Sequence, residues 1–135
     1  MKGRKGLVLL IFFLALSLFQ CGKKANVPGD LIGVWKTTAE PYADRCFEIK
    51  ADEVLFGTGE GGFDTYRITK IKMEKDPREQ AVLYTLYYKT IEGKEYKFSF
   101  YYDPANHGTI RFKNQQQMVW ARHEAKDEKS HEQNS

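Results

Sequence analysis

The sequence predicts an all-β fold: a small antiparallel up-and-down barrel of eight strands that follows an N-terminal signal helix. Three observations predict it. Apolar residues recur with a period of two, not the roughly 3.6 of a helix, as where Tyr96, Phe98, Phe100 and Tyr102 alternate with Lys97, Ser99 and Tyr101. The segments between such runs are short and rich in Gly, Asp, Asn and Pro. Consecutive strands are therefore antiparallel neighbours, because a parallel crossover needs about a dozen residues or more. An open meander would leave two exposed edges, and closure removes both.

The elements follow in order. The first strand covers residues 32–38 and the second 45–50, and Ala51-Asp52 turns the chain into a third at 53–58. The glycine-rich stretch Gly57-Thr58-Gly59-Glu60-Gly61-Gly62 is a hairpin connection to the fourth strand, 63–73. Strict alternation puts Tyr66 and Ile68 on one face of that strand and Ile71 and Met73 on the other, so a bulge or bend is expected near Thr69-Lys70. Lys75-Asp76-Pro77-Arg78 leads to the fifth strand, 81–91, and Glu92-Gly93 to the sixth, 96–102. Asp103-Pro104-Ala105-Asn106-His107-Gly108 precedes the seventh, 109–113, and Asn114-Gln115 the eighth, 117–123.

The chain begins differently. Lys2, Arg4 and Lys5 precede a run of thirteen residues, 7–19, made of Leu, Val, Ile, Phe and Ala with one Ser. A membrane-spanning helix needs about 20 apolar residues, so this run fits a secretory signal better than a span. With Leu18 three residues before Cys21 and the polar Gly22-Lys23-Lys24 after it, the segment resembles a bacterial lipoprotein signal. That resemblance implies cleavage before Cys21, a diacylglycerol thioether on its sulfur and an acylated new amino terminus. Gln20 stands where that family carries a small residue, and cleavage after Ala15-Leu16-Ser17 or an uncleaved anchor are the alternatives. Gly22, where some lipoproteins of the inner membrane carry aspartate, implies the outer membrane, facing the periplasm.

This divides the chain into a signal peptide at 1–20, a flexible tether at 21–29, a barrel domain at 30–124 and a polar tail at 125–135. Three of the 21 basic residues lie in the signal, which leaves 18 against 18 acidic ones, so the charge balance does not call for nucleic acid. Cys21 and Cys46 are the only cysteines. Lipidation of Cys21 leaves Cys46 alone as a small apolar side chain, whereas simple secretion leaves a pair available for a disulfide.

At the first strand, Leu31-Ile32-Gly33-Val34-Trp35 resembles the Gly-x-Trp motif of the lipocalins and their calycin relatives. The resemblance implies that Trp35 plugs the closed end of the barrel, that Gly33 leaves room there, and that Arg122 from the last strand packs across the indole. A guanidinium over that ring contributes roughly 0.5 to 2 kcal/mol and ties first strand to last. The chain has no residues for the helix that full lipocalins pack on the barrel.

An eight-stranded barrel is either filled by side chains or just wide enough for one small ligand. Beyond the signal there are 2 Trp, 8 Tyr and 6 Phe, enough bulk to fill it. Buried phenols want partners, however, so a pocket lined by Tyr66, Tyr84, Tyr88, Tyr96 and Tyr102 suits a small amphipathic molecule. Little else carries chemistry. The glycine-rich stretch lacks the Lys-Ser/Thr of a phosphate loop and leads into a strand. Asp103 and His107 sit in turn-forming sequence with no third metal ligand beside them. No catalytic residue, metal or cofactor is expected.

The leading reading is therefore an envelope lipoprotein, membrane-bound through acylated Cys21, whose barrel binds a small apolar or amphipathic ligand; it is not an enzyme. The alternative is a protein-interaction module, an accessory subunit or inhibitor of an envelope enzyme, with a filled barrel and exposed aromatics such as Tyr42, Tyr87 and Tyr101.

Overall fold

Eight strands form: β1 (Gly33–Lys36), β2 (Cys46–Ile49), β3 (Glu53–Gly57), β4 (Phe63–Lys75), β5 (Val82–Lys89), β6 (Glu95–Asp103), β7 (Thr109–Phe112) and β8 (Gln115–Arg122). The computed structural model describes residues 25–124. The expected signal peptide, Cys21 and the polar tail at 125–135 lie outside the described residues. Each strand pairs antiparallel with the next, and β8 returns to β1 with Trp35 opposite Arg122 and Lys36 opposite Ala121, which closes the barrel.

Alternation carries the apolar face of each strand inward. Trp35, Ile49, Val54, Leu86, Phe100 and Ile110 are fully excluded from solvent. The expected bulge lies between Ile68 and Lys70, and past it Ile71 and Met73 share registers with Leu86 and Tyr84. Thr69 Oγ1 donates to Tyr87 O at 3.3 Å there. The extra residue thus returns four apolar positions of β4 to one face. β1 ends at Lys36, earlier than alternation suggests, because Thr37 is drawn into the turn and its hydroxyl accepts from Ala39 N at 3.2 Å.

Aromatic rings fill the interior. Phe47 lies 6.4 Å from Trp35, 5.1 Å from Trp120 and 5.4 Å from Phe112 between ring centroids, and Phe98 is 5.8 Å from Phe112 and 5.6 Å from Phe56. These are contact separations for aromatic pairs, so the rings pack against one another. Trp120 Nε1 is buried without a hydrogen-bond partner; its ring meets Phe47 near edge-on at 66°.

One end is sealed by the chain's own approach to β1. A 3-10 turn at Gly29–Leu31 places Leu31 at zero exposure, and Val27 joins the same core at 8%. Val27 is apolar and packs in the core at the barrel base, while Asn26, Gly29 and Asp30 beside it are exposed.

Candidate ligand-binding mouth

The closed end shows what a satisfied aromatic cluster looks like. Trp35 Nε1 donates to Leu31 O at 3.1 Å, Tyr102 meets the indole edge-on at 6.2 Å, and the Arg122 guanidinium lies 4.6 Å from the ring centre. The same guanidinium donates through Nη1 to Ile32 O and through Nη2 to Asp30 O. Gly33 adopts a φ of 151, which residues with a side chain rarely take, and a Cβ on it would sit 2.6 Å from Arg122 Nη1. Gly33, Trp35 and Arg122 form one structural unit, in which the Trp35 ring is fully buried.

The five tyrosines expected to line one pocket are divided. Tyr84 and Tyr102 belong to the closed end, both buried and 6.5 Å apart between ring centres. Burial raises the Tyr84 phenol above its ordinary pKa, and the nearby Asp30 charge and Tyr102 add to the shift. Tyr66, Tyr88 and Tyr96 gather at the other end: Tyr66 to Tyr88 is 5.0 Å, Tyr88 to Tyr96 5.7 Å and Tyr66 to Tyr96 6.4 Å. Here burial is partial, and Tyr96 is 39% exposed. The Tyr88 pKa is also raised, by burial first and then by Tyr66 and Tyr96. Lys94 places its ammonium 5.1 Å from the Tyr96 ring, and Tyr96 raises the Lys94 pKa.

Strand lengths make this end open. β6 begins at Glu95, but its pairing with β7 covers only Phe100 to Asp103, and the last link is Lys113 N donating to Ser99 O at 3.0 Å. Residues 95–98 have β5 on one side and, among the described residues, no strand on the other. The wall is notched there, and a cleft of about 440 Å³ enters it. Phe56, Tyr88, Phe98 and Phe112 line it from inside, and Lys97, Ser99 and Lys113 from outside. For this pocket the sequence points to tyrosines alone. Phe98 shares the alternation of Tyr96, so its face was readable, but nothing in the sequence sets it beside Phe112 from another strand.

The remaining candidates lie outside this cleft. On the outer face Tyr87 has the ammonium groups of Lys70 and Lys72 at 5.7 and 5.6 Å, while Tyr42, in the β1–β2 connection, is partly buried against the core with Arg45 at 5.6 Å. Tyr101 lines a separate outer cleft of about 380 Å³ with Glu79, Asp103 and Arg111. The glycine-rich stretch closes on itself through Thr58 N to Gly62 O at 3.0 Å. Asp103 Oδ1 accepts from Ala105 N at 2.9 Å, and His107 follows in a left-handed conformation at φ 68. Among the described residues no three His, Cys, Asp or Glu side chains gather as a metal site would need.

No family model matches this chain, and no curated protein or solved structure matches it.

Proposed function

We propose that this chain is a lipoprotein of the bacterial envelope, anchored through an acylated Cys21 at the outer membrane, whose barrel binds a small amphipathic molecule at its open mouth. One observation carries the binding half of this reading. In a barrel otherwise packed with rings, partly buried Phe56, Tyr88 and Phe98 line an open cleft that none of the described residues fills. Concave, mostly apolar sites with a few polar groups are where such ligands bind. The anchoring half rests on the segment from Lys2 to Lys24.

Calorimetric titration of the full chain, held in phosphatidylcholine nanodiscs, with the neutral amphiphile octyl glucoside tests the binding. A saturable component is expected, weakened about tenfold by Tyr88→Ala with Phe98→Ala, since two partly buried rings supply that much free energy. A titration without saturation removes the reading. Intact mass after detergent extraction tests the anchor: a species beginning at Cys21 with added acyl mass is expected, and an unlipidated species beginning at Leu18 contradicts it.

A docking role is the second reading, favoured by the rim of the same mouth. Phe63 is 49% exposed at the start of β4 and Ile91 fully exposed at the tip of the β5–β6 turn. It predicts that Phe63→Ser with Ile91→Ser abolishes co-purification of an envelope protein and leaves octyl glucoside binding intact.

A further inference from the structure

We infer that the notch beside β6 is a head-group seat, and that the molecule taken at the mouth is a single-chain amphiphile with an anionic head. This rests on the mouth reading above and adds the sign of the charge and the side of entry.

The argument begins with the unpaired edge of β6. Side chains alternate across a strand. Along residues 96–98, therefore, Tyr96 and Phe98 point into the barrel and Lys97 points out. Because no strand covers this edge, ring and ammonium flank one gap from opposite sides of a single backbone. An amphiphile laid across the edge puts its tail on Phe98, Phe112 and Tyr88 and its head beside Lys97. Lys113 reaches the same notch from the β7–β8 turn, held there by its backbone bond to Ser99. The Ser99 hydroxyl is fixed by Thr85 Oγ1 at 2.8 Å and offers a further polar contact.

The electrostatics select the sign. Among the described residues, two ammonium groups and no carboxylate line the cleft. The single ion pair among the described residues is Arg78 with Asp76, so neither lysine is neutralised by a close acid. Glu95, the acid nearest along β6, stands opposite Lys89 in the sheet register. Lys70, opposite Tyr87 and one strand further from Lys97, extends the positive outer face. A cationic head is repelled here, a neutral one gains nothing, and an anionic one gains two charge-assisted contacts. Carboxylate and phosphate heads share this chemistry.

Four probes with one tail separate the outcomes: octanoate, octyl phosphate, octyl glucoside and octyltrimethylammonium, titrated calorimetrically into the full chain in phosphatidylcholine nanodiscs. Octanoate or octyl phosphate is expected to bind about tenfold more tightly than octyl glucoside, the ammonium probe less tightly than either, with the preference shrinking as salt rises. Lys97→Gln with Lys113→Gln should bring the anionic probes down to octyl glucoside and leave octyl glucoside within about twofold. Lys97→Arg with Lys113→Arg should keep the preference. The tighter of the two anions tells a fatty-acid source from a phospholipid one. Equal binding of octanoate, octyl phosphate and octyl glucoside, or a preference that survives the glutamine pair, overturns the inference and leaves the mouth reading standing. Binding by none of the four overturns both.

Discussion

The two ends of this barrel use the same residue types differently. At the closed end Trp35 and Tyr102 are buried, the indole N–H has a carbonyl, and a guanidinium covers the ring. At the mouth Tyr66, Tyr88 and Phe98 are only half buried, and the β7–β8 turn stops short of covering them. The first arrangement stabilises; the second leaves apolar surface available. A domain of about 95 residues has a small core, so each apolar ring left in contact with water at the mouth is stabilisation forgone.

Mutation can break that contrast at its strongest point. Trp35→Ala is expected to destabilise the fold by about 3 to 5 kcal/mol in denaturant melts, as large aromatic truncations in cores do. A loss below about 1 kcal/mol removes Trp35 as the plug. Tyr88→Ala should cost about 1 to 2 kcal/mol, because its ring is only half withdrawn from water. A cost as large as that of Trp35→Ala would make the mouth part of the core and end the distinction. A double-mutant cycle sharpens the closed end: Arg122→Ala and Trp35→Phe should show a coupling of roughly 0.5 to 2 kcal/mol. Additive melts would detach the guanidinium from the ring.

The smallest effect concerns pH and involves one phenol from each end. Tyr84 and Tyr88 are raised above the ordinary value of 10.0, chiefly by burial, so folding favours the neutral phenol. Above pH 10.0 the unfolded chain gives up these protons before the folded one does. Their contribution is thus complete below that pH and is lost as pH rises through the folded values. Tyr84→Phe and Tyr88→Phe should each reduce the drop in urea midpoint measured above pH 10.0; an unchanged drop would contradict the burial of that phenol.

The sequence made some of this contrast legible. Alternation located the strands and assigned Tyr84, Tyr88, Tyr96 and Tyr102 to an inner face, since period two is a local property. The Gly33-Val34-Trp35 motif pointed to Arg122, and the closure of β1 on β8 puts the two in register. The height of each residue along the barrel axis was not legible. It depends on the register of every preceding pair and on the bulge at Thr69, so five inward tyrosines read as one set when they occupy two levels. Lys97 and Lys113 were equally hidden. One lies on β6 and the other in the β7–β8 turn, and only the shortness of β7 brings both to the notch.

The most direct test of the two-ended account is an aromatic and indole NMR titration of the isotope-labelled full chain in nanodiscs with octyl glucoside. The account predicts saturable shifts of Tyr66, Tyr88, Tyr96 and Phe98, while the indole N–H of Trp35 and the ring of Tyr102 stay in place. Shifts of Trp35 and Tyr102 that saturate together with those of the mouth, or in their absence, would contradict it.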